Sequence, residues 1–181
     1  MIPGNVQEVF RSVVEALEEA ALDYGVMGGY AVVTWGVPRA TFDIDVLVPL
    51  GGGGLEPFFA ACERRGFEVP DEYRRGWQDR IGDMPLVKVK LFCGGRPVSV
   101  DVFLVATPFL ASAFSRRALT HLAGIDVQVP VISAADLILF KLMAHRLKDQ
   151  ADVQNILMVQ GIPDESYLRS WARQLGVEDV A

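Results

Sequence analysis

Short apolar segments alternate with longer amphipathic segments along this chain, and this order constrains the fold more than any other feature. The first amphipathic segment begins near Asn5 and ends near Asp23, with apolar residues at helical spacing and charged residues on the opposite face. A short apolar strand at residues 25–27 follows, and then a short helix at residues 30–35 that ends at Gly36. Strands separated by helices in this way predict an α/β (α+β) fold, in which helices flank a mixed β-sheet.

The rest of the chain continues the same pattern. Further strands are predicted at residues 41–49, 86–93, 97–105 and 125–132, and a short strand at 67–69 is left open. Further helices are predicted at residues 55–65, 107–114, 133–147, 148–160 and 164–176. Residues 70–83 are polar with interspersed aromatics and are predicted as a loop or a broken strand. We expect one domain over residues 1–181, with a core of about residues 5–132 and a helical C-terminal part of about residues 133–176.

The composition narrows the class of protein. With 181 residues, 51% of them hydrophobic and 22% charged, the chain can bury a core without disulfides or a structural metal. The formal net charge of −6 disfavours non-specific binding to nucleic acid, so we expect no DNA partner. We find no apolar run of 18 residues and no basic stretch followed by an apolar one, so we expect no membrane span, no signal peptide and a cytoplasmic location.

Three aspartates lie in predicted strands that are otherwise apolar. Asp43 and Asp45 are two residues apart and therefore share one face of their strand, while Asp101 is at the centre of the strand at 97–105. Buried carboxylates are unfavourable unless they are paired or bound to a cation. Three of them on one sheet face therefore predict a site for a divalent cation, Mg²⁺ or Mn²⁺. The alternative is that Asp43 and Asp45 mark a solvent-facing side of the sheet or pair with Arg39.

A glycine pair precedes the aspartates. Gly28 and Gly29 follow a short apolar strand and open a short helix. Glycines at such a turn allow a ligand to approach the backbone, and the N–H groups at a helix start favour an anion. Together with Arg39 and Thr41, which lie between the pair and the first aspartate, they predict a phosphate-binding turn. A plain strand-to-helix turn is the alternative.

The stretch GGYAVVTWGVPRATFDIDVLV, residues 28–48, resembles the signature of the DNA polymerase β-type nucleotidyltransferase superfamily. That signature is a pair of small residues, then Asp-x-Asp, and later a third acidic residue on a neighbouring strand. Gly28 and Gly29 match the first element, Asp43 and Asp45 the second, and Asp101 the third. The spacing also resembles the small bacterial branch, which includes abortive-infection or type IV toxin–antitoxin nucleotidyltransferases and small aminoglycoside or lincosamide nucleotidyltransferases. The resemblance covers about residues 5–160.

The resemblance implies transfer of a nucleoside monophosphate from a nucleoside triphosphate (NTP) to a hydroxyl group, with release of pyrophosphate. Asp43, Asp45 and Asp101 would be the metal ligands and catalytic residues, with Asp101 near the attacking hydroxyl, where it helps to deprotonate it. Gly28 and Gly29 would let the triphosphate approach the backbone. Many members carry a serine after or within the glycine pair; in this chain Tyr30 follows instead, so phosphate binding would depend on backbone N–H groups and on other side chains.

The segment KLMAHRLKDQAD, residues 141–152, resembles the toxin-like branch, in which a lysine and an Arg/Lys–Asp pair follow the sheet. Nucleotide binding is therefore predicted for Lys141 and Lys148, together with Arg39 and Thr41. Lys148 and Asp152 are alternatively a surface ion pair at i, i+4 spacing. Two further candidates in this segment are Arg146 and Asp149.

Two questions stay open at the level of sequence. Lys88 and Lys90 belong either to a solvated strand face or to the cleft beside Asp101. The acceptor is RNA or protein, as in the toxin-like branch with a possible cognate antitoxin, or alternatively an aminoglycoside or lincosamide. A module that binds nucleotide or a partner protein without catalysis is the third possibility.

Overall fold

The computed structural model describes residues 5–122, 125 and 128–178, and within them lie eight helices and seven strands. The helices are α1 (Val6–Glu19), α2 (Gly28–Trp35), α3 (Glu56–Arg64), α4 (Asp71–Arg74), α5 (Pro108–Ser115), α6 (Ala134–Ala144), α7 (Leu147–Gln160) and α8 (Glu165–Leu175). The strands are β1 (Gly25–Met27), β2 (Ile44–Val48), β3 (Asp79–Ile81), β4 (Met84–Cys93), β5 (Arg96–Leu104), β6 (Ala118–His121) and β7 (Gln128–Val131). This mixed α/β architecture confirms the predicted fold class.

The strands form one mixed sheet in the order β3-β4-β5-β2-β1-β7-β6. β2 runs parallel to β5 and β1 runs parallel to β7, while the other neighbouring pairs are antiparallel. β2 lies at the centre, with Ile44, Val46 and Val48 fully buried. Asp45, between Ile44 and Val46 on this strand, is half-buried beside the core.

The helices pack where their apolar residues direct them. α1 begins after Asn5, whose side chain accepts a hydrogen bond from the N–H of Glu8. One face of α1 buries Phe10 and Leu17. α6 is apolar almost all round, is buried from Ala134 to Leu142, and packs against α2, α7 and α8. Within the described residues, no helix combines the length and the apolar character that a membrane crossing requires.

Polar side chains hold α8 against the helices that it contacts. The hydroxyl of Tyr167 on α8 donates to the fully buried carboxylate of Asp136 on α6, at 2.5 Å. The same hydroxyl lies 2.9 Å from Ser112 Oγ on α5, and the Arg116 guanidinium stands 3.9 Å from the centre of the Tyr167 ring. Because a buried carboxylate without partners is unfavourable, this cluster fixes α8 to α5 and α6.

Several boundaries differ from the sequence predictions. The strand predicted at residues 41–49 begins only at Ile44, because Thr41 turns its side chain against Gly29 instead of joining the sheet. The helix predicted at residues 133–147 ends at Ala144, since His145 takes a left-handed backbone conformation with φ 49°. The segment at 67–69 contributes one bridge, between Glu68 and Lys90.

Two short elements, α4 and β6, were not predicted, whereas β3 agrees with the broken strand given as one alternative for residues 70–83. Residues 70–83 hold α4 and β3, and β6 precedes β7 as an edge strand. β6 is largely exposed, so it lacks the apolar alternation that identifies a strand in a sequence. The strand predicted at residues 125–132 is observed at 128–131; residues 126 and 127 lie outside the described residues.

Candidate active site

The three predicted carboxylates line one cleft. Asp45 on β2 lies directly opposite Asp101 on the parallel strand β5, and Met27 at the end of β1 is its partner on the other side. Asp43 precedes β2, is exposed, and faces the same cleft. The pairing of two parallel strands in register is what brings together carboxylates 56 residues apart (101 − 45).

The surroundings of Asp45 disfavour the ionised form of its carboxylate. Burial raises its pKa to about 6, and the nearby charges of Asp101 and Asp43 act in the same direction. The charge of Lys141 and a hydrogen bond from the Gly29 N–H lower the pKa but do not offset the burial. The site therefore has negative charge that the surrounding protein leaves only partly compensated.

Asp101 is better compensated. Its Oδ2 accepts a hydrogen bond from Lys88 Nζ at 2.6 Å, and its Oδ1 accepts one from Ser99 Oγ at 2.8 Å. Lys88 is thus the cross-strand partner of Asp101, whereas Lys90 is exposed. Of the two alternatives for these lysines, the position beside Asp101 applies to Lys88, and the solvated strand face applies to Lys90.

The carboxylates fit a divalent cation that also contacts a ligand. Within the described residues, no three or more His, Cys, Asp or Glu side chains are grouped to hold a metal ion by themselves. Mg²⁺ does not need such a cage, since it is commonly bound by one or two carboxylates together with substrate phosphates and water. The oxygen donors of Asp43 and Asp45, and the raised pKa of Asp45, match that mode of binding.

The glycine pair makes room for the site. Gly28 has φ +60°, and a Cβ at this position would lie 1.8 Å from Asp45 Oδ2. A Cβ at Gly29 would lie 2.1 Å from the hydroxyl oxygen of Thr41. Both glycines line the cleft, and neither position accepts a side chain without displacing a site residue.

Tyr30, which follows the glycines, belongs to the core. Its ring lies 4.8 Å from that of Phe10 on α1, between centroids, and the side chain is 8% exposed. Burial raises the pKa of its hydroxyl to about 12. The side chain that follows the glycine pair is therefore used for packing and does not line the cleft.

The predicted basic residues stand on the other wall of the cleft. Lys141 on α6 is almost fully buried, and its Nζ lies 2.9 Å from Asp149 Oδ1 and 2.9 Å from Asp152 Oδ2. Lys148 is exposed at the start of α7 and also lines the cleft. Lys148 is therefore available to solvent, whereas Lys141 is already held by two carboxylates.

Arg39 and Arg146 complete a network of ion pairs. Arg39 donates from Nε and Nη2 to the two oxygens of Asp152, at 2.7 and 2.8 Å. Arg146 donates from Nε to Asp149 at 2.6 Å. Hydrogen bonds from these arginines and from Lys141 outweigh burial, so the pKa values of Asp149 and Asp152 lie below their usual value.

The role of Asp152 was not predicted. The alternative pairing with Lys148 on the surface is wrong, because Asp152 is 2% exposed and faces Lys141 and Arg39 instead. The sequence did contain a signal for it: Asp152 follows Asp149 by three positions, and Lys141 lies in an apolar stretch where a charge needs a partner. The pairing itself joins residues 113 apart, which a sequence pattern does not show.

The cleft as a whole has a volume of about 980 Å³, including space open to solvent. Every residue predicted for catalysis, metal binding or nucleotide binding lines it: Gly28, Gly29, Arg39, Thr41, Asp43, Asp45, Asp101, Lys141 and Lys148. The sheet side carries the three predicted carboxylates, and the helical side carries Lys141 and Lys148 together with the paired carboxylate of Asp149. The predicted carboxylates and the predicted basic residues therefore face each other across one cleft.

Comparison by sequence identifies no relative: no protein-family model matches the chain, and no curated protein matches it. Comparison by structure finds proteins of similar fold. ANT(2")-Ia in complex with adenylyl-2"-tobramycin is 16% identical over 93% of this chain and 97% of that chain, with a TM-score of 0.62. The lincomycin-bound lincosamide antibiotic adenylyltransferase LnuA is 15% identical over 87% of this chain and 99% of its own, with a TM-score of 0.55.

JHP933 from Helicobacter pylori is similar as well, at 11% identity over 94% of this chain and 74% of that chain, with a TM-score of 0.53. The chain therefore has the nucleotidyltransferase fold, as the resemblance of its glycine pair and aspartates implied. At these identities the likeness establishes the fold alone.

Proposed function

We propose that this protein is a metal-dependent nucleotidyltransferase that moves a nucleoside monophosphate from an NTP to a hydroxyl acceptor and releases pyrophosphate. The observation that carries the proposal is the register of β2 and β5, which sets Asp45 beside Asp101 in the cleft that the glycine pair opens. The fold shared with two antibiotic adenylyltransferases supports the same reaction class.

In this reaction, the acceptor oxygen forms a bond to the α-phosphorus of the NTP. The bond from that phosphorus to the oxygen bridging to the β-phosphate breaks, and pyrophosphate leaves. The hydroxyl proton passes to a carboxylate, for which Asp101 is our candidate. Catalysis of this kind depends mainly on positioning and on compensating charge.

Asp43, Asp45 and Asp101 would hold Mg²⁺ or Mn²⁺ together with phosphate oxygens of the NTP, and not by themselves. When bound, the cation supplies positive charge to the triphosphate and to the pyrophosphate that leaves. Arg39, Lys141 and Lys148 on the opposite side have the charge to bind phosphate oxygens, and Thr41 lies against Gly29 at the same turn.

The acceptor we favour is RNA or protein, because the segment at residues 141–152 resembles the toxin-like branch. A cognate antitoxin would then be a partner. A second candidate is a small antibiotic: the similar structures carry a tobramycin adduct and lincomycin, and the net charge of −6 suits a cationic acceptor.

The first test needs no knowledge of the acceptor. We expect calorimetric titration with ATP, GTP, CTP and UTP to show binding of one or more nucleotides that requires Mg²⁺. The Asp43→Ala/Asp45→Ala double variant should lose this binding while it keeps its circular dichroism spectrum. A folded wild-type protein that binds none of the four nucleotides would reject the proposal and favour a non-catalytic partner-binding module.

The acceptor is identified in a second experiment. NTP labelled at the α-phosphate is incubated with total tRNA, with a cell lysate cleared of nucleic acid, or with tobramycin and lincomycin. Label in tRNA or in a protein band supports the toxin-like role, and label in the antibiotic supports the second candidate. Asp101→Asn is expected to abolish transfer in whichever fraction is labelled, since it removes the proton acceptor but keeps the shape of the side chain.

A further inference from the structure

Asp152 connects two cations that come from different parts of the fold. Its carboxylate receives the paired Nε and Nη2 donors of Arg39, and its Oδ2 also lies 2.9 Å from Lys141 Nζ. Asp152 is 2% exposed, whereas the Arg39 side chain is 36% exposed. One buried carboxylate thus sets the positions of a guanidinium at the rim of the cleft and of an ammonium deeper inside.

The Arg39 segment depends on this contact. Arg39 lies between α2 and β2, in a stretch without regular secondary structure that also holds Thr41 and Asp43. α7 contacts α2 as well, through a hydrogen bond from Gln160 to the carbonyl of Trp35. Because a bidentate pair restricts both distance and orientation, Asp152 fixes the direction of the Arg39 side chain relative to α6 and α7.

Both cations keep donors for a ligand. A lysine ammonium has three N–H donors, and Lys141 directs two of them to Asp149 and Asp152. A guanidinium has five, and Arg39 uses three for Asp152 and the carbonyl of Ala40. Lys141 and Arg39 both line the cleft, so the two cations stand at one wall of the proposed nucleotide site.

We propose that Asp152 is a positioning residue that holds Arg39 and Lys141 as a two-cation clamp for the triphosphate. This inference rests on the proposed function, because it assigns the clamp to the NTP of that reaction. Asp152 itself contacts no substrate in this scheme and acts only through its two partners.

The proposal and simple electrostatics predict opposite changes in nucleotide affinity when Asp152 loses its charge. A buried anion near the cleft repels phosphate, so loss of its charge would strengthen nucleotide binding if Asp152 had no positioning role. If it orients the clamp, loss of its charge weakens binding, since the cations are no longer held where they meet the phosphates; a misplacement of about 1 Å can reduce a reaction rate by roughly 100-fold.

The test compares four variants with the wild type by calorimetry in saturating Mg²⁺: Asp152→Asn, Arg39→Lys, the two changes combined, and the control Asp136→Asn. The probes are the tightest-binding of ATP, GTP, CTP and UTP and the corresponding monophosphate. We expect Asp152→Asn to weaken NTP binding by about tenfold or more and to change monophosphate binding by less than about threefold, because the clamp holds the β- and γ-phosphates. Arg39→Lys, which keeps the charge but loses the fork, should act in the same direction, and the two changes should not add.

Asp136→Asn is the matched control. It also removes the charge of a fully buried aspartate with an arginine partner, but that aspartate fastens α8 and lies outside the cleft. Asp136→Asn should therefore keep the wild-type affinity for both nucleotides in a folded sample. Asp152→Asn that binds NTP as tightly as the wild type or more tightly, or that loses NTP and monophosphate affinity equally, overturns the clamp.

The outcomes also separate this inference from the proposed function. If the wild type binds no NTP, both fall; if it binds NTP and Asp152→Asn is unchanged, only the clamp falls. If Asp152→Asn does not fold, Arg39→Lys decides alone: a retained preference for triphosphate over monophosphate then rejects the clamp. Faster backbone hydrogen exchange at residues 37–43 in Asp152→Asn would show the loosened segment directly.

Discussion

At the scale of single residues, Asp45 combines burial with a function that needs its charge. The folded protein holds its proton up to about pH 6, because burial and the neighbouring carboxylates disfavour ionisation. In an unfolded chain an aspartate releases its proton near pH 4. Between these values the folded state binds a proton that the unfolded state has lost, so this residue makes the free energy of unfolding fall as pH rises.

We therefore expect Asp45→Asn to be more stable than the wild type at pH 7, without nucleotide or metal. A shift of roughly two pKa units corresponds to at most about 3 kcal/mol. Asparagine keeps an oxygen for the Gly29 N–H but carries no charge. The measurement is urea unfolding of both proteins at pH 4, 5, 6 and 7.

The quantity to compare is the difference in unfolding free energy between the two proteins at each pH. Asp149 and Asp152, with lowered pKa values, act in the opposite direction but are common to both proteins. The difference should grow from pH 4 to pH 6 in favour of the variant. A difference that does not depend on pH would show that Asp45 is not the strained carboxylate.

The residues of the cleft were predictable from sequence where they lie close together along the chain. Gly28, Gly29, Asp43 and Asp45 lie within one short stretch, and a carboxylate inside an apolar strand is itself unusual. Asp152 was not predictable in the same way. Arg39, one of its partners, is distant in sequence, and an aspartate four residues after Lys148 equally fits a helix surface.

At the scale of elements, the fit between α2 and the segment that enters β2 determines the geometry of the site. Gly29 at the start of α2 leaves the space that Thr41 fills. We expect Gly29→Ala to lower the free energy of unfolding by about 1–3 kcal/mol, because the new methyl group overlaps the Thr41 side chain. Denaturant unfolding measures the change.

Two further variants test whether the loss of stability comes from the contact between residue 29 and Thr41. In a Thr41→Gly background the same Gly29→Ala change should cost much less, since the overlapping atoms are gone. Gly51→Ala places a methyl group where no atom lies within 4 Å, and it should change stability by no more than about 0.5 kcal/mol. An equal loss for Gly29→Ala in both backgrounds would contradict the packing explanation.

Element type was easier to predict from sequence than element boundaries. The long helices and the β4–β5 hairpin follow from clear periodicity, whereas β2 starts late because Thr41 packs on Gly29. β3, β6 and α4 are short and mostly exposed, so no apolar pattern marks them. Their positions depend on neighbours in the sheet, which is information that the local sequence does not hold.

At the scale of the whole molecule, the site and the stability of the fold oppose each other. Carboxylates gathered in a partly buried cleft lower the stability of the protein alone, and a ligand that compensates their charge restores it. A ligand that binds only the folded state raises the free energy of unfolding by about 2.7 kcal/mol at a concentration of 100 times its Kd. For a chain of this size, that corresponds to a rise in Tm of roughly 5–10 °C.

We therefore predict that added NTP and Mg²⁺ remove most of the stability difference between Asp45→Asn and the wild type. Alone at pH 7, the variant should melt at the higher temperature, because it lacks the strained carboxylate. With saturating NTP and Mg²⁺, the wild type should gain several degrees and the variant almost none, since the variant has lost a cation ligand. Thermal melting in the four conditions measures this, with Mg²⁺ alone as the control. If both proteins gain equally, the nucleotide binds without Asp45, and the carboxylates would need another explanation for their burial.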